Sequence, residues 1–236
     1  GEDPATMHAL EGAIAAAVDR IDDQPIALRV HTLFGLMYVE RKTWEGGEAS
    51  AVAQLEAALK IGDALSLHNL RMPHVAARLG NALEQVNRIA RAEQMYVRAA
   101  YEYLDVDNVP AALSVSQRAQ LSDVAQFLEG IAMARLSVPR MTELDLNDQA
   151  LVVKKNANHV PWPRNAPVGI DLAFVKRQLF RYWADLSSRA AQVGARNAAI
   201  VFAGMARNAW AYEFWNSSAE QARYDALDDI DREFAV

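Results

Sequence analysis

The sequence contains no cysteine, which excludes disulfide bonds and thiolate chemistry. Glycine and proline are sparse, at 11 and 8 of 236 residues, and this argues against long disordered tracts. Long hydrophobic runs are missing as well. The most apolar stretch, residues 195–210, is interrupted by arginine and asparagine, whereas a bilayer-spanning helix needs about 18 or more apolar residues in succession. The sequence therefore predicts no integral membrane span.

An excess of positive charge is also missing. The chain has 24 basic and 30 acidic residues, a net charge of −6 and an isoelectric point near 5.4. Nucleic-acid binding normally requires a basic face and a high isoelectric point. We therefore expect no nucleic-acid partner.

Familiar catalytic motifs do not occur. The sequence has no glycine-rich nucleotide loop, P-loop, nucleophile elbow or zinc-protease helix motif. The five histidines, His8, His31, His68, His74 and His159, never recur at helical spacing with one another. We therefore predict no catalytic residue, cofactor or metal, and a chain that is not an enzyme. An all-helical enzyme remains an alternative that would require a buried cluster of histidines and carboxylates.

Hydrophobic residues make up 52% of the chain, and many are alanines, which suits closely packed helices. Apolar positions recur with helical periodicity through most of the sequence. The pattern predicts an all-α protein with helices over 5–21, 25–42, 48–66, 73–87, 89–104, 110–136, 170–193, 195–215 and 218–233. The stretch 138–169, with three prolines between 161 and 167, is predicted to be an irregular crossover loop.

A motif in residues 73–101 is the clearest signal. Leu79-Gly80-Asn81-Ala82-Leu83 is followed at fixed spacing by Ala92, Tyr96 and Ala99. This pattern resembles the tetratricopeptide repeat, in which small residues let two helices cross closely. Asn87 lies at the turn between the helices, where a left-handed residue is expected.

A second, weaker copy lies upstream. Phe34-Gly35 and Tyr38 match the first helix, and Ala51, Leu55 and Ala58 match the second, after a turn about four residues longer than usual. The wider spacing is similar to the extended repeats of kinesin-light-chain type. The resemblance implies a tetratricopeptide-like superhelix over 5–137, the crossover loop over 138–169, and a C-terminal helical hairpin plus terminal helix over 170–236 that packs on the repeats.

The resemblance also implies a binding groove, because first helices of such repeats line a concave surface. On this chain it places His74, Arg78, Asn81, Glu84 and Gln85 in the groove. Asn81 would hydrogen-bond an extended peptide backbone, and Arg78 would contact a carboxylate. A two-residue clamp for a C-terminal carboxylate is not evident, since the equivalent positions in the first copy are leucines.

Two further features carry open alternatives. Trp162, in a Pro-Trp-Pro sequence, either straps the helices together or borders the groove and contacts a partner. The C-terminal hairpin is the most basic region and is either a solvated face or a receptor for acidic groups. Its arginines are Arg177, Arg181, Arg189, Arg196 and Arg207.

We therefore predict a scaffold or adaptor that binds a protein or peptide partner, with homo-oligomerisation also open. The alternative is a helical domain that binds a small molecule or lipid in a cavity closed by the Trp162 loop. The chain begins Gly1-Glu2-Asp3-Pro4 instead of with methionine. This start suggests a removed preceding segment and favours a periplasmic or secreted location over a cytoplasmic one.

Overall fold

The computed structural model describes residues 4–18, 23–40, 47–66, 71–119, 122–156, 159–163, 166–210 and 217–234. Within these ranges the protein is all-α, as predicted, with no β-strand. The helices are α1 (Pro4–Val18), α2 (Gln24–Glu40), α3 (Gly47–Ala64), α4 (Arg71–Gln85), α5 (Ile89–Asp105), α6 (Val109–Ser116), α7 (Asp123–Ser137), α8 (Glu143–Lys155), α9 (Leu172–Gln192), α10 (Arg196–Ala209) and α11 (Ser218–Phe234), with a short 3-10 helix at Val138–Arg140.

The chain forms two compact units, residues 1–125 and 126–236. In the first unit each helix from α1 to α6 packs against the next, and α2 also packs against α4. The fully buried side chains of this unit include Leu55, Leu79, Leu83, Tyr96 and Leu104. They come from α3, α4 and α5, so the core of the unit lies between consecutive helices.

The two hairpins of this unit share one crossing geometry. A Cβ added to Gly80 of α4 would lie 2.5 Å from the Tyr96 ring of α5. A Cβ added to Gly35 of α2 would lie 2.5 Å from the Leu55 side chain of α3. Real Cβ atoms do not approach this closely, so glycine is what allows each pair of helices to meet. The sequence analysis expected a small residue at the crossing of α4 and α5, and Gly80 lies there.

The turns on either side of α5 are also alike. Asn87, which ends the α4–α5 turn, has a φ of +56°, and Asp107 in the next turn has a φ of +65°. In each turn the amide of the next residue donates a hydrogen bond to the carbonyl five residues earlier. These bonds join Arg88 N to Leu83 O and Asn108 N to Tyr103 O, both at 2.8 Å. This is the helix-ending pattern that a left-handed residue permits. The expectation for Asn87 is therefore confirmed.

The second unit is built on the α9–α10 hairpin. α11 and α8 each pack against both helices of the hairpin. Gly194, with a φ of +82°, makes the hairpin turn as expected. Large aromatic side chains fill the core: Trp183 and Phe202 stack with their ring centroids 5.8 Å apart, and Tyr182 lies 4.9 Å from Trp183. The apolar faces of α9 and α10 thus bury each other.

Two expectations about helix boundaries were wrong. The predicted single helix over 110–136 is two helices, α6 and α7. In addition, part of the stretch predicted to be irregular, residues 143–155, forms α8. A reciprocal cap stabilises its start. Thr142 accepts a bond from the Asp145 amide at 3.3 Å, and the Asp145 carboxylate accepts one from the Thr142 amide at 2.9 Å.

Candidate ligand-binding face of α4

One face of α4 carries five polar side chains. His74, Arg78, Asn81 and Gln85 follow one another at intervals of four, three and four residues, and Glu84 flanks them. Such spacing places them along one side of a helix. Gln85 is exposed and the other four are half-buried, whereas the opposite side of α4 is buried in the core. The structure therefore brings five of the six predicted groove residues together on one surface.

Asn81 lies at the centre of a polar network. Its side-chain oxygen accepts a hydrogen bond from the Tyr96 hydroxyl at 2.8 Å. It accepts another from the Arg118 guanidinium, which also pairs with the Glu84 carboxylate. The same guanidinium lies over the Tyr96 ring, 4.6 Å from its centroid. We call the Asn81 oxygen, the Glu84 carboxylate and the Tyr96 ring face the cation pocket.

This network differs from the role expected for Asn81. The sequence reasoning assigned its side chain to the backbone of a bound peptide, whereas two side chains of the protein already bond its oxygen. Burial, and then the nearby Glu84 carboxylate, raise the pKa of Tyr96. The hydroxyl thus stays protonated at neutral pH and continues to donate to Asn81.

Sequence reasoning missed Arg118 and the hydroxyl of Tyr96 as members of this site. Arg118 follows α6 and is 34 residues from Glu84 and 37 from Asn81 along the chain. No local spacing connects residues so far apart. The motif did place Tyr96 next to α4, and a tyrosine beside a helix with Asn81 on its surface was a usable signal for the bond.

Arg78 is a half-buried cation without an ion-pair partner among the described residues. Its charge acts on two neighbours. Burial, and then Arg78, lower the pKa of His74, so that this imidazole is neutral at pH 7. Burial raises the pKa of Tyr103 on α5, and the charge of Arg78 partly opposes that rise. The guanidinium therefore creates a positive potential at the α4 face.

Trp162, the sixth residue predicted for the groove, packs inside its own unit. It belongs to the second unit, and only 6% of its surface is exposed. Its ring meets that of Tyr182 edge-on at 5.2 Å, and its Cβ would be 3.1 Å from a Cβ added to Gly130 of α7. This packing corresponds to the strap, because a side chain buried in this way offers a partner little surface.

Two of the five arginines that make the C-terminal hairpin basic, Arg181 and Arg207, are paired within the second unit, whereas Arg196 is exposed. Arg181 donates to the buried Glu220 carboxylate, with a distance of 2.5 Å from Nε to Oε1. Arg207 pairs with Asp228 and Asp231 of α11 at 3.2 and 2.7 Å. These side chains hold α11 to the hairpin, so they are neither a solvated face nor receptors for an acidic ligand.

The pair of Arg181 and Glu220 belongs to a longer chain of charges. Arg223 lies 3.7 Å from Glu220 and 3.6 Å from Asp185, and Asp185 in turn pairs with Arg135 at 3.0 Å. These groups come from α7, α9 and α11. The fully buried Glu220 carboxylate requires such partners, because an isolated buried charge is very costly. The network therefore has a structural role in holding the three helices together.

The described residues contain no cluster of three or more His, Cys, Asp or Glu suited to a metal ion. In the same part of the chain, every helix is too short or too polar to cross a bilayer. Comparison of the sequence and the structure with models of known protein families, with curated proteins and with solved structures found no match.

Proposed function

We propose that this protein is a scaffold or adaptor that binds a protein or peptide along the exposed face of α4. We further propose that the hairpins α2–α3 and α4–α5 are tetratricopeptide-like repeats. The shared glycine crossings at Gly35 and Gly80 support the repeat assignment. The packing of α2 against α4 also supports it, since first helices of successive repeats are neighbours in a superhelix.

The observation that carries the proposal is the guanidinium of Arg78, which has no ion-pair partner within the described part of the chain and is in line with Asn81 and Gln85 on a polar helix face. Two other arginines of this unit have carboxylate partners: Arg91 pairs with Glu56 at 2.9 Å, and Arg98 pairs with Asp63. A guanidinium forms short, charge-assisted bonds with carboxylates. The partner is therefore expected to present an acidic side chain to Arg78.

Site-specific photo-crosslinking tests this proposal. A photoreactive amino acid at Gln85 would lie on the α4 face, and one at the exposed Gln94 of α5 provides the matched control. Each labelled protein is irradiated with a displayed library of random peptides, with and without the substitution Arg78→Ala. The control substitution is Arg88→Ala, which removes an exposed arginine outside α4.

We expect crosslinks from Gln85 that exceed those from Gln94, that are enriched in acidic peptides, and that decrease with Arg78→Ala but not with Arg88→Ala. Loss of one charge-assisted bond corresponds to about tenfold weaker binding. Equal crosslinking from both positions would refute the proposal. A pattern that Arg78→Ala leaves unchanged would remove Arg78 from the recognition of the partner.

A further inference from the structure

We propose that the cation pocket is a receptor for an arginine side chain of the bound partner, and that Arg118 is its internal occupant in the free protein. This inference rests on the proposed function, because it names the chemistry that the partner brings to the α4 face. The pocket would take a partner with both an acidic and a basic side chain, the acidic one for Arg78 and the basic one in place of Arg118.

The composition of the pocket fits a guanidinium. The Asn81 oxygen and the Glu84 carboxylate accept its N–H groups, and the Tyr96 ring covers its flat side. Arg91 with Glu56 and Arg232 with Asp229 have one carboxylate acceptor each, whereas Arg98 has two, Asp63 and Glu102. Arg118 differs from these in combining a carboxylate and an amide oxygen with a ring face, which is a complete set of contacts for a guanidinium.

The occupant is held in a way that allows exchange. The Arg118 side chain is 43% exposed and that of Glu84 is 34% exposed, so water reaches both. Arg118 lies two residues beyond the end of α6, outside any described helix. Its guanidinium can therefore rotate into solvent without moving a helix, and this leaves the Asn81 oxygen, the carboxylate and the ring face in position. Exposed ion pairs of this kind are weak, which makes replacement by a competing arginine feasible.

The spacing along α4 sets the spacing in the partner. Arg78 precedes the midpoint of Asn81 and Glu84 by four to five residues, or about 7 Å along the helix axis. Two residues of an extended peptide span about 6.6 Å, and their side chains point to the same side. The preferred peptide therefore carries an acidic residue two positions away from an arginine.

The affinity of the pocket for a partner is lowered by the time that Arg118 spends in it. An exposed ion pair and an exposed cation–π contact together favour the state in which Arg118 fills the pocket by roughly three- to thirtyfold. A peptide binds only the fraction of molecules whose pocket is open, so its apparent affinity is the intrinsic affinity multiplied by that fraction. Arg118→Ala leaves the pocket open and should therefore strengthen the binding of an arginine peptide by roughly the same factor.

The test titrates the protein with the peptide Ac-Asp-Gly-Arg-Gly-NH2 while the nuclear magnetic resonance signals of Asn81 and Tyr96 are recorded. The same peptide with citrulline in place of arginine keeps the shape and removes the charge. Arg91→Ala is the matched control variant, since it breaks another arginine–glutamate pair between helices of this unit. Arg118→Gln is included in case the alanine variant unfolds. Glu84→Gln in the Arg118→Ala background removes the charge that the pocket offers.

We expect the Arg118→Ala protein to bind the arginine peptide at least about threefold more tightly than the wild type and the Arg91→Ala variant do. Citrulline or Glu84→Gln should abolish this gain. The inference is overturned if Arg118→Ala and the wild type respond alike, or if the citrulline peptide binds equally well. If crosslinking from Gln85 succeeds in that case, the α4 face still binds a partner and only the arginine receptor is wrong. If the arginine peptide binds but Gln85 captures nothing, the pocket stands and the adaptor function fails.

Discussion

The substitution Gly80→Ala tests whether the close crossing of α4 and α5 holds the first unit together. The added methyl group would lie 2.5, 2.8 and 2.9 Å from three atoms of the Tyr96 ring. That ring is 1% exposed and has no free space into which it can retreat. Either the helices separate or the ring rotates away from its hydroxyl bond to Asn81.

The magnitude follows from three terms. Overpacking a buried site costs about 1–3 kcal/mol, and loss of the Tyr96–Asn81 bond costs about 1 kcal/mol more. Alanine is a better helix former than glycine and returns about 1 kcal/mol. We therefore expect Gly80→Ala to lower the free energy of unfolding by about 1–3 kcal/mol.

Urea denaturation followed by far-ultraviolet circular dichroism measures this change, with a separate transition fitted for each unit if they unfold apart. Gly204→Ala is the control, because no atom lies within 4 Å of the added Cβ in α10. It should raise the stability by about 0.5–1 kcal/mol. In a Tyr96→Ala background the Gly80→Ala substitution should become neutral or stabilising. If it destabilises equally with and without the ring, the ring is not the cause and the reasoning is refuted.

Three further predictions concern buried charge, helix capping and pH. Replacing Glu220 by Gln removes the buried carboxylate that pairs with Arg181, so we expect the free energy of unfolding in urea to fall by about 3–5 kcal/mol. The double change Arg181→Met with Glu220→Leu should recover most of it, and a loss below 1 kcal/mol would contradict a buried pair. Thr142→Ala removes the cap of α8 and should lower the free energy of unfolding in urea by about 1 kcal/mol, while Thr142→Ser should lower it much less. Equal losses in the two variants would show that the hydroxyl is not the cap. Burial, followed by the charge of a neighbouring arginine, lowers the pKa of His74 below its ordinary 6.5, so the unfolded chain binds the proton more tightly. The contribution of neutral His74 to the free energy of unfolding should therefore be fully present above pH 6.5 and fall as the pH decreases from 6.5 through the pKa of the folded state. His74→Gln should reduce this dependence of the melting temperature on pH in thermal melts recorded between pH 5 and 7.5. An unchanged slope would mean that His74 is not the group responsible.

The helices of the α4–α5 hairpin could be predicted because the information is local. Gly80, Ala92 and Ala99 are small at the positions where helices cross, and Asn87 supplies the left-handed residue at the turn. Each of these constraints acts within about twenty residues of sequence. The tetratricopeptide pattern condenses them into one motif, and the structure reproduces the contact between Gly80 and Tyr96 that the motif requires.

α8 was missed for a physical reason that can be identified. Its cap pairs Thr142 with Asp145, whereas the usual sequence signature of a capping box has Glu or Gln at the third helical position. The start of α11 has the sequence of a capping box, with Ser217 three residues before Glu220. The Ser217 hydroxyl accepts a bond from the Glu220 amide at 3.4 Å. The Glu220 carboxylate, however, does not return to the cap but pairs with Arg181, which the sequence pattern did not indicate.

The candidate site was predictable only where it follows α4. The resemblance to the tetratricopeptide repeat placed His74, Arg78, Asn81 and Gln85 in one groove, and their helical spacing agrees with a shared face of α4. The contact of Arg118 with Asn81 depends on where α6 ends in space, and a single sequence contains no local signal for that position. The sequence therefore indicated the face of α4, and the structure shows that Arg118 contacts its central residue, Asn81.

The exposed contacts of Arg118 make the free protein responsive to ionic strength. At about 0.1 M salt the screening length is about 10 Å, and each further addition of salt weakens an ion pair that water can reach. The pair of Arg181 and Glu220 is excluded from water and is screened much less. Salt would thus release Arg118 from the cation pocket and leave the helices of the second unit joined. The ions dissolved around the protein therefore help to determine how often the cation pocket is vacant.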